Sequence, residues 1–455
     1  MTTSLPPSLR SLFRSITLAA LFTLALPPSA GAQGARLARA EQRMRDWIRE
    51  QQREQVEYLA RVVNIPSGTM NFQGVKRTGQ VFQATLDSLG FETRWIPMDS
   101  VNRAGHLFAE HRGRSGTKTL LLIGHLDTVF EGEGERWEHQ SGDSVARGAG
   151  SSDMKGGDVV MVYALKALQA AAALKDANII VALIGDEELV GKPVSIARHD
   201  LIDAARRSHV ALAFESGEPG SAVIARRGSS SWRLDVTGRQ AHSSGIFGEN
   251  TGYGAVFEAT RIVDEFRERL SRVPNLTFNP AIVAGGAEVA YDSVQHRVTA
   301  ASKTNIIAPR AVVVGDLRFL RDEQRDSARS VMREIVGRSL PGTSAQITFI
   351  DSYPAMPPTA SNRELLGVYS QVSQALGYGA VEPFDPGRRG AGDISFVADD
   401  IPAALDGLGA DGGGAHSPDE RVDLRSLAQQ TERAAVLLYR LSREKAPPRT
   451  REAIP

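Results

Sequence analysis

Apolar runs that alternate with helical segments are the feature that most constrains the fold of this 455-residue chain. The runs TLLLIGHLD, NIIVALIGD and SHVALAFES are almost continuously apolar, and helix-forming segments such as DVVMVYALKALQAAAAL separate them. Strands of this kind are buried on both faces, and the helices between them supply the crossovers that parallel strands require. The sequence therefore predicts an α/β domain, with a mostly parallel sheet and helices on both of its faces.

The pattern changes between residues 219 and 350. Strand-like segments such as SSWRLDVTGR and AVVVGDLRFL alternate in polarity there, and two amphipathic helical segments lie among them. Roughly four such strands with two helices predict an inserted α+β domain, in which both helices cover one face of an antiparallel sheet. The α/β pattern then returns, so residues 33–218 and 351–455 are expected to form one domain around the insertion.

The N-terminal residues predict an exported protein. Arg10 and Arg14 precede the apolar run ITLAALFTLAL, and the AGA motif at residues 30–32 has the A-x-A pattern of a signal peptide cleavage site. The apolar run is shorter than the roughly 20 residues that cross a bilayer. Residues 1–32 are therefore predicted to be a signal peptide that is cut before Gln33, which would leave a periplasmic or extracellular protein without a membrane segment. An uncleaved membrane anchor is the alternative.

Composition excludes several functional classes. The formal net charge is +0 and the chain has no basic tract, so neither nucleic acid nor an anionic membrane is an expected partner. The chain has no cysteine, which excludes thiol catalysis, cysteine-based zinc sites and stabilising disulfides. Any metal ion would therefore be held by histidine and carboxylate side chains.

Five segments carry side chains suited to metal binding at the predicted ends of strands or in glycine-rich loops. They supply His125 with Asp127, then Asp153, then Glu187 with Glu188, then Glu215, and finally His416. Ligands gather at the carboxyl ends of parallel strands. Together these side chains offer the nitrogen and oxygen ligands of a site for two metal ions.

Each of these segments also has an interpretation without metal. His125 and Asp127 face the same side of an extended strand, so that one could orient the other. An isolated pair of this kind, however, more often consists of two surface residues without a shared function. Asp153 could merely cap the following helix, although the glycines around it favour a buried carboxylate in closely packed backbone. A phosphate-binding loop is disfavoured, because the glycine-rich segment lacks the required lysine spacing.

Three consecutive acids, DEE, follow the apolar strand that ends at Ile184. Neighbouring side chains at a strand end point in different directions. One of Glu187 and Glu188 could therefore bind a metal ion while the other faces a neighbouring water molecule. Metal-assisted hydrolysis needs this pair of functions, a Lewis acid and a carboxylate that accepts a proton. The alternative is an acidic helix N-terminus that the helix dipole stabilises.

The motifs GHLDTV, GAGSSDMKGG, GDEE, AFES and GGGAHSPDERVDL, in this order and spacing, resemble those of a family of zinc-dependent exopeptidases and amidohydrolases. This family includes glutamate carboxypeptidase of the G type, aminoacylase and succinyl-diaminopimelate desuccinylase. The resemblance covers nearly all of the chain after residue 32. It implies a hydrolase that cleaves an amide or peptide bond next to a free carboxylate in a small peptide or an N-acyl amino acid. Glu215, where some aminopeptidase-like relatives carry Asp, favours carboxypeptidase or acyl-amino-acid hydrolase chemistry.

The resemblance also implies a role for each of the five segments. The implied ligands of two zinc ions are Asp153 bridging both ions, His125 and Glu215 on one ion, and Glu188 and His416 on the other. Cobalt or manganese would suit the same ligands. Glu187 would be the general base, Asp127 would orient His125, and the peptide bond after Asp153 is expected to be cis.

The inserted domain resembles the lid and dimerisation domain of the family, which implies a homodimer. His242 would reach across the dimer to stabilise the oxyanion of the tetrahedral intermediate, although it could also be an exposed turn histidine. Asn305 and Arg318 would hold the terminal carboxylate of the substrate, and Arg318 could instead be an exposed strand residue. Gly392 and Asp393 would line the pocket, unless Asp393 caps the helix that follows it.

Three alternatives to this function remain at the level of sequence. The same metal site could serve a dipeptidase, an aminopeptidase or an N-deacylase. A catalytically silent zinc- or peptide-binding protein could also keep the ligands, but such a protein would be expected to lose Glu187 first, and this chain retains it. A nucleotide-binding protein is disfavoured by the absence of the phosphate-loop spacing.

Overall fold

The structure is a computed structural model that describes residues 36–132 and 136–447. The predicted signal peptide, residues 1–32, lies outside the described residues. Within the described ranges, no helix is long and apolar enough to cross a membrane.

Helices and strands alternate along most of the described chain. The α-helices in these ranges are α1 (Arg39–Glu50), α2 (Gln52–Val63), α3 (Phe72–Ser88), α4 (Lys155–Ala170), α5 (Val194–Ala197), α6 (His199–Arg206), α7 (Gly254–Leu270), α8 (Asp322–Val336), α9 (Ala360–Leu376) and α10 (Leu424–Leu441). The strands are β1 (Glu92–Met98), β2 (Arg103–His111), β3 (Thr119–His125), β4 (Val145–Arg147), β5 (Asn178–Ile184), β6 (Val210–Ala213), β7 (Ser221–Ala222), β8 (Gly228–Gly238), β9 (Thr277–Gly286), β10 (Glu288–Asp292), β11 (Arg297–Ala301), β12 (Arg310–Phe319), β13 (Thr343–Tyr353), β14 (Glu382–Pro383), β15 (Ala403–Leu405), β16 (Gly412–Gly413) and β17 (Arg421–Asp423).

The predicted α/β fold is confirmed by a six-stranded sheet in the order β1-β2-β5-β3-β6-β15. β5, β3, β6 and β15 are parallel to one another, whereas β2 pairs antiparallel with β5 and β1 pairs antiparallel with β2 at one edge. Side chains of β3 alternate between two apolar cores, with Leu120 and Leu122 in one and Leu121 and Ile123 in the other. Both faces of the sheet are therefore covered, as the continuously apolar strands require.

A second sheet, in the order β13-β8-β12-β9, is antiparallel throughout. α7 and α8 pack together against it in one apolar core, which includes Trp232, Phe266 and Met332. This arrangement matches the predicted α+β unit. The hairpin of β10 and β11 was not predicted, and its side chains are largely exposed.

The start of the second unit lies later in the chain than residue 219, where the sequence placed it. Ala222 and Ile224 are buried in one core of the α/β unit, and Val223 is buried in the other. β7 also pairs with β14 of the α/β unit. The first strand of the second sheet is β8, which begins at Gly228, because the apolar side chains before it are buried elsewhere.

The N-terminal helical segment is also divided. The apolar spacing of residues 35–65 predicts one long amphipathic helix, but the structure has α1 and α2, with a break at Gln51. α1 packs against both α10 and α4, whereas α2 packs against α4. The break at Gln51 lets the two helices pack in different directions. The segment contains no proline or glycine from which the break could have been predicted.

Candidate metal centre

The carboxyl ends of three parallel strands bring the first predicted ligands together. His125 is the last residue of β3, Glu188 follows β5, and Glu215 follows β6. β3 lies between β5 and β6 and is parallel to both. The three side chains therefore leave the sheet at the same edge, which is where ligands bind in open α/β sheets.

Asp153 and His416 come from two loops that a small third sheet holds side by side. In this sheet β17 lies between β16 and β4. The loop that contains Asp153 follows β4, and the loop that contains His416 joins β16 to β17. His416 itself has a φ of 62°, in the left-handed region. The sheet therefore decides which two loops face each other.

All five predicted ligands lie in one cluster. His125 Nε2 is 3.3 Å from Asp153 Oδ1 and 3.8 Å from Glu215 Oε1. His416 Nε2 is 3.2 Å from Asp153 Oδ2 and 3.2 Å from Glu188 Oε2. Asp153 thus presents one carboxylate oxygen to each histidine. Donor atoms of His125, Asp153 and Glu188 lie within 4.8 Å of one another. The peptide bond that follows Asp153 is cis, as expected.

The charges of this cluster fit divalent cations. Burial and the charge of Asp153 raise the pKa of Glu215 to about 7, and burial raises the pKa of Glu188. Hydrogen bonds to Asp153 and Glu188 raise the pKa of His416 to about 10. Glu215 and His416 therefore bind protons more tightly than usual, and metal ions would replace these protons, since metal ligands bind in their deprotonated forms. The oxygen and nitrogen donors, with one oxygen of Asp153 toward each histidine, suit a pair of ions.

Glu187 lies beside the cluster and makes no ion pair with either histidine. Burial, together with the charges of Glu215 and Asp393, raises the pKa of its carboxyl group well above the usual value. Its backbone N–H donates to Asp127 Oδ1 over 3.1 Å, and its carbonyl accepts a 2.8 Å hydrogen bond from the hydroxyl of Tyr353. A carboxyl group with a raised pKa and a fixed backbone is suited to proton transfer.

Asp127 holds several parts of the site at once. Its carboxylate accepts hydrogen bonds from Thr69 Oγ1 over 2.6 Å and from the N–H of Glu188 over 3.1 Å. His125 Nδ1 lies 3.1 Å from the backbone carbonyl of Asp127 and 3.4 Å from its Oδ1. Because a carbonyl only accepts, Nδ1 carries a proton, and Nε2 is the ring nitrogen that faces the cluster.

Arg198 forms an ion pair with Asp186, the first of the three consecutive acids, and no sequence motif identified this arginine. The side chain is completely buried. Its guanidinium donates to Asp186 Oδ1 over 2.5 Å, to the carbonyl of Asp186 over 3.2 Å and to Asp393 Oδ1 over 2.7 Å. This arginine therefore fixes the residue before Glu187 and joins it to a carboxylate from residues far along the chain.

Gly392 and Asp393 each lie against a buried arginine. Asp393 forms an ion pair with Arg198, and Gly392 packs against Arg226. Asp393 also lines a small cavity with His125 and Glu215. The residue at the N-cap of the short helix at 393–397 is Gly392, so the carboxylate of Asp393 does not cap that helix. A Cβ on Gly392 would lie 2.9 Å from the guanidinium carbon of Arg226. This position therefore admits no larger residue without a shift of Arg226.

The candidate residues of the second unit have their hydrogen-bond partners outside the cluster. The N–H of Ser243 donates to the carbonyl of Asn305 over 2.9 Å, which places Asn305 beside His242. The ring of His242 is exposed, and its Nδ1 is 2.8 Å from Ser244 Oγ. Arg318 donates to Asp316 over 2.9 Å. Among the described residues, no hydrogen bond or ion pair links His242, Asn305 or Arg318 to the cluster.

Sequence reasoning missed four residues that hold the site. They are Thr69, Arg198, Tyr353 and Glu420. Only Glu420 had a usable signal, since it lies four residues after His416 in the segment HSPDERVDL. The other three come from segments with no motif of their own.

Comparison with known proteins bears on the family and the fold. Residues 121–440 match peptidase family M20/M25/M40. The chain is 26% identical over 397 residues to carboxypeptidase G2 from Pseudomonas sp. (strain RS-16), which covers 85% of this chain and 89% of that protein. The solved structure of aminopeptidase PepT from Bacillus cereus has a TM-score of 0.71 at 17% identity, over 86% of this chain and 99% of that one. The solved structure of a dinuclear metal-binding M20 peptidase from Bacillus subtilis has a TM-score of 0.61 at 15% identity, over 87% of this chain and 99% of that one.

Proposed function

This chain belongs to peptidase family M20/M25/M40, and from this premise we propose that it is a dinuclear zinc hydrolase that cleaves the amide or peptide bond next to a free carboxylate of its substrate. Its family and its carboxypeptidase relative make it a metal-dependent exopeptidase or amidohydrolase. Its substrate is therefore a peptide or an acyl amino acid. The observation that carries the finer proposal is the position of Asp153, whose two oxygens face two different histidines.

In this proposal each ion has its own ligands, and Asp153 is shared. His125 and Glu215 hold one ion, and Glu188 and His416 hold the other. A solved structure of similar fold is described as a dinuclear metal-binding peptidase, which supports a pair of ions. Zinc would polarise the substrate carbonyl and lower the pKa of a water molecule. Cobalt and manganese would suit the same donors.

Glu187 is the group that moves protons. Its carboxylate accepts a proton from the attacking water and later returns a proton to the leaving amine, which is the usual division of work for a general base. The hydrogen bonds that Asp127 and Tyr353 make with its backbone keep its carboxyl group beside the ligands. Asp127 also holds His125 with Nε2 toward the cluster.

Both units supply contacts to the substrate. Asn305 and Arg318 hold the terminal carboxylate, for which the planar guanidinium of arginine is suited. Gly392 and Asp393 line the pocket. His242 stabilises the oxyanion of the tetrahedral intermediate, and it does so in the site of a second copy of the chain.

A homodimer is supported by an exposed apolar surface near His242. Phe247 and Phe257 are 56% and 50% exposed, and their ring centroids are 5.4 Å apart. Val256 and Val283, from the neighbouring helix and strand, are also exposed. Contiguous apolar patches of this kind mark interaction surfaces. A second copy that covers this patch would contact the chain at Phe247, five residues after His242.

Export is part of the proposal and has its own test. The pattern of residues 1–32 predicts cleavage before Gln33. Expression of the full chain in a Gram-negative host should give a periplasmic or secreted protein whose N-terminal sequence begins QGARL. A full-length protein in the membrane fraction would support the uncleaved anchor instead.

The test of the activity is a substrate panel with purified zinc-loaded protein. It contains N-acyl amino acids, folyl-type glutamates and dipeptides with a free amino group, each incubated with wild type, Glu187→Ala and Glu218→Ala. Glu218 is a matched control, since its carboxylate lies close in sequence to Glu215 but pairs with Arg388 on the surface. We expect release of a free amino acid that a chelator abolishes and that only Glu187→Ala loses.

The panel also separates the alternatives. Cleavage confined to dipeptides with a free amino group would replace the proposed specificity with that of a dipeptidase or an aminopeptidase. Stoichiometric zinc binding without cleavage of any substrate would favour a metal- or peptide-binding protein. Cleavage that survives both chelation and Glu187→Ala would contradict the proposed chemistry.

A further inference from the structure

Glu420 is a buried carboxylate directly behind Asp153 that the proposed reaction does not use. It is 2% exposed. Its Oε1 accepts hydrogen bonds from the N–H groups of Ser152 and Asp153 over 2.9 and 3.0 Å, and its Oε2 accepts one from the N–H of Gly150 over 2.8 Å. The hydroxyl of Ser152 adds a contact of 3.2 Å to Oε1. The loop that delivers Asp153 is therefore wrapped around this one carboxylate.

Stability of the fold alone gives little reason for an acid at this position. Burial raises the pKa of Glu420, and the charge of Asp153 adds to this effect, although the three backbone N–H groups oppose it. No lysine, arginine or histidine among the described residues lies within ion-pair distance of Glu420, although the charge of buried Lys155 attracts it from farther away. Backbone amides that converge on a carboxylate can hold it, but a buried charge that has no direct ion pair and lies near another carboxylate is costly.

Glu420 also belongs to the loop that carries His416. Its own carbonyl accepts a hydrogen bond from the N–H of Gly148 over 3.1 Å. Both ends of the residue thus bind the loop at 148–153, just before β17 pairs with β4. The contacts of Glu420 therefore set the distance between the loop of Asp153 and the loop of His416.

We propose that Glu420 is a positioning residue for the metal centre, which fixes Asp153 between His125 and His416 by holding the two loops together. This inference rests on the proposed function, because it takes Asp153 and His416 to be ligands of divalent ions. Glu420 touches neither the ions nor the substrate. Partners that orient metal ligands typically change metal affinity or activity by about 10- to 100-fold when they are lost.

Glutamine tests this role with almost no change in volume. Its side chain has one carbonyl oxygen and one NH₂ group, whereas Glu420 uses both oxygens as acceptors. In Glu420→Gln the NH₂ group must face either Gly150 N–H or the N–H groups of Ser152 and Asp153, donor against donor. Aspartate keeps both acceptors but is shorter by one methylene group, so Glu420→Asp should have an intermediate effect.

The experiment measures zinc affinity by competition with a chromophoric chelator, in wild type, Glu420→Gln and Glu420→Asp. We expect Glu420→Gln to bind zinc about 10- to 100-fold more weakly than wild type. With metal restored at high zinc concentration, kcat should fall while KM changes little, because the substrate contacts are intact. The unfolding midpoint of the metal-free protein is measured in parallel.

Two control variants separate this role from general effects of losing an acid. Glu432 is also buried, but it pairs with Arg49 and Tyr378, so Glu432→Gln should lower the unfolding midpoint and leave zinc affinity unchanged. Asp419 is the exposed neighbour of Glu420. Asp419→Asn therefore removes a local charge without changing the hydrogen bonds of Glu420, and it should also bind zinc like wild type.

Three results with the variants would overturn the inference. Zinc affinity of Glu420→Gln within twofold of wild type would show that the hydrogen bonds of Glu420 do not position a ligand. A loss of metal-free stability like that of Glu432→Gln, with zinc affinity retained, would make Glu420 a structural residue. If Glu420→Gln does not fold, wild-type zinc affinity in Glu420→Asp leads to the same conclusion. Wild type that binds no zinc would overturn the proposed function as well, whereas wild type that binds zinc and cleaves substrate confines any failure to Glu420.

Discussion

In the α/β unit the candidate residues, apart from the exposed His416, are largely buried and contact one another, whereas those in the antiparallel unit are exposed or half-buried and bond mainly to neighbours in sequence. Asp127 binds His125, Thr69 and the backbone of the acidic segment. His242 contacts Ser244, and Arg318 contacts Asp316, each two residues away. The first unit thus holds its chemistry in place before a substrate arrives, as electrostatic catalysis requires. The second unit leaves its candidate side chains with few contacts of their own, and under the proposed function their partners would be the substrate or another copy of the chain.

The largest effect is expected from Glu187→Gln, which removes proton transfer in the α/β unit. Glu187→Gln keeps the size of the side chain but removes its basicity, so we expect kcat to fall by about 10²- to 10⁴-fold. Zinc affinity should stay at the wild-type value, because Glu187 is not one of the proposed ligands. Steady-state kinetics and zinc titration measure the two effects. A variant with wild-type kcat would remove Glu187 from the mechanism.

The next effect tests whether the α/β site depends on its buried charge partner. Arg198→Met leaves Asp186 and Asp393 buried without a cation, so the free energy of unfolding should fall by about 3–5 kcal/mol. Urea unfolding measures this change. The exposed pair of Arg206 with Asp400 is the control, and Arg206→Met should cost at most about 1 kcal/mol. Equal costs for the two variants would contradict the contrast between buried and exposed pairs.

His242 tests whether the second unit acts across a dimer. We expect His242→Ala to lower kcat by about 10²- to 10³-fold, the usual effect of losing an oxyanion donor, with zinc content unchanged. His242→Ala and Glu187→Gln protein are then mixed under conditions that exchange subunits. A heterodimer would pair an intact Glu187 with an intact His242 in one of its two sites, so activity should return. Mixtures as inactive as their components would argue that His242 acts within its own chain or not at all.

The pH dependence tests the proton-loaded state of the cluster. Below about pH 4.5 Glu215 is protonated in both the folded and the unfolded chain, and its raised folded pKa of about 7 costs stability as the pH rises from 4.5 to 7. The stability contributed by His416 is present below pH 6.5 and is lost as the pH approaches its folded pKa of about 10. Metal-free protein should therefore become less stable from pH 5 to pH 10.

Zinc binding should show the opposite trend to metal-free stability. Because zinc displaces the protons of Glu215 and His416, its affinity should rise by about tenfold per pH unit for each proton released. Unfolding midpoints with and without zinc, measured from pH 5 to 9, check both trends. A metal-free protein that gains stability over this range would contradict the assigned pKa directions.

Arg318 should show the smallest effect on stability. Its pair with Asp316 is partly exposed, so Arg318→Met should change the free energy of unfolding by less than about 1 kcal/mol. Its proposed grip on the substrate carboxylate predicts a larger effect on KM, a rise of about tenfold or more. An unchanged KM for substrates with a free carboxylate would leave Arg318 as an ordinary surface residue.

Local sequence was sufficient for the elements that carry the ligands. The apolar runs before His125, Glu187 and Glu215 predicted strands, and the structure has β3, β5 and β6 at these places. Because parallel strands end at one edge of a sheet, their side chains were expected to meet, and they do. The lack of cysteine limited the candidate donors to nitrogen and oxygen.

The partners of these residues were decided by contacts between distant parts of the chain. Arg198 meets Asp393 across 195 positions, and Glu420 meets Gly150 across 270. The break between α1 and α2 likewise follows the packing of α10 and α4. Periodicity and strand ends are local properties, so they can be read along the sequence. The partner of each buried charged group depends on the packing of distant segments. Only the folded chain brings these segments together.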